Sequence, residues 1–277
     1  IIKEKKIKIL FQSTLDKRVE KFLKEKFELE LIILEDYKEI YLGKHKITLI
    51  KCGAIDSSLI IETKDYYHIN LNDCDFVEAE LKRIKKNLKN KKKIIIYLQF
   101  SYAAFRSDDK WLKKAAEFKL FNLLSVYKLF KADLIIPFAS FVYFSNSENF
   151  RLNKYMNNVE TTSKFLNDNK INHCILNPDL EDTDIKKLIY DVEKRKDVTR
   201  SSMEFWDKKF ENIKPKDEVN EIYEISDQVK TGFLSRIKKD NSVFLLFLIR
   251  FLTIGYIFGD IIIHLKDTKE TYVLNFN

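Results

Sequence analysis

The stretch Lys93-Ile94-Ile95-Ile96-Tyr97-Leu98-Gln99-Phe100 is almost continuously apolar, the pattern of a strand buried on both faces. Trp111 to Phe130 follows, with Leu112, Ala115, Ala116, Leu120, Leu123, Leu124 and Tyr127 at helical spacing. Asp133 to Phe138 then repeats the buried-strand pattern and meets Pro137. Strand, long helix and strand in succession read as an α/β unit, and the rest of the chain is placed around it.

Upstream, Lys6 to Gln12 alternates like a half-buried strand, and Leu15 to Phe27 reads as an amphipathic helix with Val19, Phe22 and Leu23 at helical spacing. Leu29 to Ile33, Lys46 to Cys52, Ser58 to Glu62 and Tyr67 to Leu71 are strand-like, interrupted by Gly53 and by Lys64-Asp65. Glu78 to Leu88 is expected to be helical. Downstream, helices are expected over Asn157 to Leu166 and Asp184 to Lys194, with a strand at His173 to Leu176 stopped by Asn177-Pro178. Strands come first and then alternate with helices, so residues 1–195 read as one layered α/β domain. From about Asp197 the texture changes, and Lys214-Pro215-Lys216 marks a break. Helix-like Val219 to Arg236 and Val243 to Thr253 precede two strands, Asp260 to Leu265 and Tyr272 to Phe276, joined by a polar turn at Lys266 to Glu270. Residues 196–277 therefore read as a small C-terminal α+β module. No internal repeat is visible.

Bulk properties narrow the classes. A chain of 277 residues that is 45% hydrophobic and 33% charged can bury a core and is too apolar for disorder. The net charge of +8 comes from short lysine runs, such as Lys91-Lys92-Lys93 and Lys113-Lys114, with acidic residues between them. No nucleic-acid signature accompanies them. A basic surface meeting an anionic small molecule or sugar-nucleotide is expected, and a nucleic-acid partner is not. The three cysteines, Cys52, Cys74 and Cys174, form no CxxC, which fits a reducing, cytoplasmic setting. The longest apolar run, Val243 to Gly255, is broken by Arg250 and is too short to span a bilayer. Because the chain opens on Ile1 and stops within a strand-like run at Asn277, sequence is expected to be missing at both ends.

Two segments carry candidate chemistry. Asn70-Leu71-Asn72-Asp73-Cys74-Asp75 directly follows a strand, where a carboxylate can point into a cleft and hold metal. The alternative is an Asx-turn, with Asn72 or Asp73 bonding its own backbone. Pro137-Phe138-Ala139-Ser140-Phe141-Val142-Tyr143-Phe144-Ser145 brings small residues and aromatics to the end of a buried strand, as where a chain rounds a cleft. Asn146-Ser147-Glu148-Asn149-Phe150 supplies polar groups at that rim; a tightly packed loop is the competing reading. The four histidines, His45, His68, His173 and His264, are isolated, with no HxH or HxxH pair, and each reads better as structural than as a ligand. There is no GxSxG, no GxGxxG and no P-loop.

Four blocks, Cys52 to Ile61, Asn70 to Asp75, Leu98 to Ala103 and Pro137 to Phe150 (PFASFVYFSNSENF), resemble in order and spacing a group of metallo-β-lactamase-fold proteins. These are related to the fold partner of the Rieske domain in CMP-N-acetylneuraminate hydroxylase and UDP-sugar hydroxylases. The resemblance covers about residues 5–180, and the PFASFVYFS block is its most specific part. It implies a partial αββα sandwich with metal at the edge between two sheets, zinc or iron being held mostly by an early HxHxDH motif. That motif is absent from this chain. Of the metal ligands it implies, only an Asp after a later strand carries over, as Asp73, with Asp75 a second candidate. On the cleft side, Ser140, Tyr143 and Asn146 are the candidate substrate-binding residues. The function expected from the resemblance is a metal-dependent hydrolase or hydroxylase acting on a sugar or nucleotide-sugar, its histidines supplied by upstream sequence. Two alternatives stand beside it: a non-catalytic binding or scaffold module, and a nuclease on the same fold.

Overall fold

A computed structural model of the chain describes residues 7–53, 56–103, 108–180, 184–216, 242–252, 261–265 and 270–274. It divides into two units, Ile1–Lys216 and Asp217–Asn277.

The first unit is built on a mixed sheet of β3 (Glu39–Leu42), β4 (His45–Cys52), β5 (Asp56–Glu62), β6 (Tyr66–Asn72), β7 (Lys93–Gln99) and β8 (Leu134–Phe138). The strands lie in that order across the sheet. They are antiparallel from β3 to β6 and parallel from β6 to β8. The change of direction follows from the connections. Turns suffice between the early strands, whereas α2 (Glu78–Lys86) and α3 (Asp109–Phe130) return the chain to start β7 and β8. Gly43, at φ 59°, provides the left-handed residue that the tight β3–β4 turn requires. A separate parallel pair, β1 (Ile9–Gln12) and β2 (Leu31–Leu34), flanks α1 (Arg18–Phe27) in the chain. This is the α/β class expected, with a central mixed sheet and helices.

The near-continuous apolar runs of β7 and β8 arise because helices cover both of their faces. On one face Ile96, Leu98 and Ile135 join Ile84 of α2, Leu123, Val126 and Phe130 of α3, and Leu166 of α4 (Val159–Asp168). On the other, Ile95, Leu134 and Ile136 meet Leu188 and Ile189 of α5 (Ile185–Tyr190) and Val198 of α6 (Val192–Phe210). Alternate side chains of each strand thus enter different cores.

Three sequence expectations are modified. The helix expected over Asp184 to Lys194 is two helices, broken where the Asp191 carboxylate caps α6 by accepting the Lys194 N–H at 2.9 Å. The chain also divides at Lys216 rather than after residue 195, since α6 lays Arg195, Val198, Thr199 and Ser202 into the first unit. Lastly, the strand expected at His173 to Leu176 is reduced to one bridge with Ile135. The Ile135 N–H donates to the Asn172 carbonyl (2.9 Å) and its carbonyl accepts from the Cys174 N–H (3.0 Å). The next outward-facing position on β8 is Pro137, which has no N–H to continue that ladder.

In the second unit, α7 (Val243–Leu252) precedes an antiparallel hairpin of β9 (Ile261–Leu265) and β10 (Glu270–Leu274), with Ile262 opposite Val273. The helix expected over Val219 to Arg236 lies outside the described residues, as does the turn expected at Lys266 to Glu270 apart from Glu270, which opens β10. Among the described residues, no helix is long and apolar enough to cross a membrane.

Candidate functional site

At the carboxyl ends of β7 and β8 the chain turns outward twice, and the two turns are stitched together. Ser140 is buried, and its hydroxyl accepts the N–H groups of Phe100 (3.0 Å) and Ser101 (2.8 Å) while donating to the Ser101 carbonyl at 3.2 Å. Ala139 reaches this position through a left-handed φ of 59°, a conformation that costs a non-glycine residue on the order of 1–3 kcal/mol. Asn157 closes the other side: its amide donates to the carbonyls of Phe100 (2.8 Å) and Ala116 (2.7 Å), and its N–H to the Ser101 hydroxyl (3.0 Å). Asn153 grips the main chain of Phe144, accepting its N–H at 2.9 Å and donating to its carbonyl at 2.7 Å. The amides of this region are spent on fixing the loop, and the aromatic side chains are left to face outward.

These aromatics wall a cleft of about 1220 Å³ between the loop 140–158 and the C-terminal half of α6. Phe141 stacks on Trp206 with centroids 4.3 Å apart and planes 8° from parallel. Trp206 stacks in turn on Phe210 (5.7 Å, 23°), and Phe210 on Tyr143 (5.0 Å, 21°). The result is a ladder of four rings, with Phe100 edge-on behind Phe141. The indole N–H of Trp206 is buried and unpartnered among the described residues. The charged residues lining the cleft are of both signs: Arg151, Lys154 and Lys208 against Glu204, Asp207 and Glu211. A cleft with apolar flat walls and a few charged groups suits a small ligand with a ring face and polar edges.

The sequence-derived candidates fare differently. Ser140 and Tyr143 line this cleft. The Ser140 hydroxyl is committed to main-chain groups, while Tyr143 is a rung of the ladder. Asn146 is not among the lining residues; its side-chain oxygen accepts the Glu148 N–H at 3.0 Å and folds the turn beyond. Asp73 lies after β6, exposed, with its carboxylate held by the Asn72 amide at 2.5 Å. Asn72 itself has a φ of 50° and donates its N–H to the Asn70 side chain at 2.9 Å, so the Asx-turn here is made by Asn70 rather than by Asn72 or Asp73. Asp75 is exposed and forms an ion pair with Lys119 at 2.8 Å.

Whether these residues fit a metal centre can be tested on the donor set. Among the described residues, no three His, Cys, Asp or Glu side chains come together as a metal-holding group. Burial pushes the thiols of Cys52 and Cys74 up, away from the thiolate a metal requires. His68 and His173 are engaged elsewhere, whereas the Nδ1 of His45 is buried without a hydrogen-bond partner among the described residues. His68 bonds the Tyr97 hydroxyl at 3.0 Å, and burial holds its pKa below the usual histidine value. His173 donates from Nδ1 to the Ile171 carbonyl (2.9 Å), which leaves Nε2 to accept from the Ser163 hydroxyl (3.0 Å). His45 lies on β4, where it is partly buried. The described residues alone do not fit zinc or iron.

Trp206 and Phe210 were not identified from sequence. Their spacing of one helical turn, beside Phe205, is the signal that points to them.

No family model matches the chain, and no curated protein matches it. Among solved structures it is similar to the metallo-β-lactamase fold protein YhfI from Bacillus subtilis, at 11% identity and a TM-score of 0.37, over 58% of this chain and 61% of that one. It is also similar to CmlA, a diiron β-hydroxylase from Streptomyces venezuelae, at 5% identity and a TM-score of 0.33, over 52% of this chain and 33% of that one. A variant of the CmlA β-hydroxylase gives 7% identity and a TM-score of 0.35, over 53% and 32%. The chain thus spans about a third of the length of CmlA.

Proposed function

We propose that this chain is a ligand-binding module on a metallo-β-lactamase-like scaffold, and that it holds a sugar or nucleotide-sugar against the aromatic ladder of its cleft. The observation that carries the reading is the stacked series Phe141, Trp206, Phe210 and Tyr143 along one wall. Because the rings stack on one another, the wall offers a ligand mainly ring edges, with charged groups of both signs beside them, and the C–H groups and hydroxyls of a sugar match that division of apolar and charged surface. The likeness of the PFASFVYFS block to sugar-nucleotide hydroxylase relatives supports the same ligand class.

Metal-dependent hydrolysis or hydroxylation is the second reading, favoured by the position of Asp73 at the carboxyl end of β6. In that case Asp73 would join donors from outside the described residues, and the metal would supply an activated water or oxidant.

The two readings separate in one set of titrations. A Trp111→Phe variant leaves Trp206 as the sole tryptophan, so its emission reports on the cleft. Saturable quenching by a UDP-sugar that Tyr143→Ala weakens, together with no zinc or iron uptake, upholds the binding module. Stoichiometric metal uptake that Asp73→Ala abolishes favours the metalloenzyme. Absence of any UDP-sugar response refutes the first reading.

A further inference from the structure

The opposite end of the sheet holds a second pocket. β6 and β7 begin there, at Tyr66 and Lys93, and β8 is entered through Asp133. A pocket of about 710 Å³ is lined by Lys64, Lys91, Lys92, Lys93 and Lys186, with Asp65, Asp133, Tyr66 and Tyr190. Its inner cations are pinned. Lys92 bonds Glu62 at 2.9 Å and the Thr63 carbonyl at 2.5 Å, and Lys93 bonds Asp133 at 2.7 Å. Glu62 is further held by Lys46 and Asn90 (3.0 and 2.7 Å), so this floor is a fixed network. The Lys93 ammonium also lies 5.7 Å from the centroid of the exposed Tyr190 ring.

Around this floor stand three exposed lysines, Lys64, Lys91 and Lys186, that no ion pair or hydrogen bond engages among the described residues. Glu62 and Asp133 neutralise the pinned pair, while Asp184, which caps α5 by accepting the Lys186 N–H, keeps its negative charge and acts on Tyr66 in the pocket lining. Among the described residues, Asp65 is then the one lining carboxylate without a lysine partner, in a pocket that three unpaired lysines also line. Like charges converging on one concavity repel, and a multivalent anion relieves that repulsion. Ammonium groups are suited to phosphate oxygens as point charges.

We infer that this pocket binds a polyphosphate anion, either free or as the phosphate chain of a nucleotide whose base lies on Tyr190. The site is separate from the aromatic cleft and does not depend on it.

Calorimetric titration of the full chain at low ionic strength tests the inference, with inorganic tripolyphosphate, ATP and AMP as probes. Saturable binding of tripolyphosphate is expected, falling about tenfold in K64Q/K91Q/K186Q and unchanged in K113Q/K114Q, which removes an exposed lysine pair on α3. ATP binding more tightly than tripolyphosphate, with Tyr190→Ala removing the difference, assigns the ligand to the nucleotides; equal affinities assign it to polyphosphate. No binding at millimolar probe, or equal losses in both lysine variants, overturns the inference.

Discussion

The indole of Trp206 lies flat on the phenyl ring of Phe141, 4.3 Å between centroids and 8° from parallel. These residues belong to different elements, the loop after β8 and the last turns of α6. Their contact is therefore what fixes the width of the cleft. Replacing Trp206 with Ala removes three aromatic contacts at once. We expect a loss of about 2–3 kcal/mol in urea unfolding, below the range for a fully buried tryptophan because the residue is only partly covered. Trp206→Phe should restore most of that stability.

Ser140 should be intolerant of a change that only a hydroxyl-dependent site would notice. In Ser140→Ala the N–H groups of Phe100 and Ser101 lose their acceptor in a buried setting. A cost of about 2–4 kcal/mol is expected from chemical denaturation, with cleft binding weakened as the two turns separate.

Arg195 is buried with no carboxylate against it among the described residues; its guanidinium donates to the carbonyls of Leu188 and Ile189, both at 2.9 Å, and to Asn172 at 3.1 Å. It caps the C-terminal end of α5 from within α6. Arg195→Leu should cost about 2–3 kcal/mol and raise amide exchange in α5 and α6 before the sheet. Arg195→Lys, a single compact cation, should not restore the forked contact.

Acid stability depends on Glu62. Burial alone would raise its carboxyl, but Lys92, Lys46 and Asn90 hold it down to about 2. The same network lifts Lys46 to about 12 against the opposing effect of its burial. Because the folded value lies below the unfolded one, the stabilisation is fully present above the ordinary carboxyl range and is lost as pH falls towards 2. Glu62→Gln should therefore unfold more readily at pH 7 than the parent and show a flatter stability profile between about pH 5 and pH 2, as read by thermal melts across that range.

The parts of the fold that sequence makes plain are those where apolar spacing and burial coincide. β7, α3 and β8 are such a case, because each apolar side chain has a core to enter. α6 is the counter-example. Its buried face is Arg195, Val198, Thr199 and Ser202, a helical spacing written mostly in polar residues that are buried through hydrogen bonds. Hydrophobic periodicity does not register such a stripe. The cleft was half legible for the same reason: its loop wall is a conspicuous aromatic run, while Trp206 and Phe210 sit on the helix that the pattern conceals. The four-ring ladder is a tertiary juxtaposition, and no local spacing encodes it.

Pro137 has a consequence beyond ending one ladder. An open sheet margin is a template on which a strand from another molecule can add, and β8 supplies one next to the cleft. By withholding a donor where a newcomer would need it, the proline makes this margin a poor partner for intermolecular pairing. Pro137→Val would restore that donor, and with it a route to self-association beginning at the mouth of the binding site.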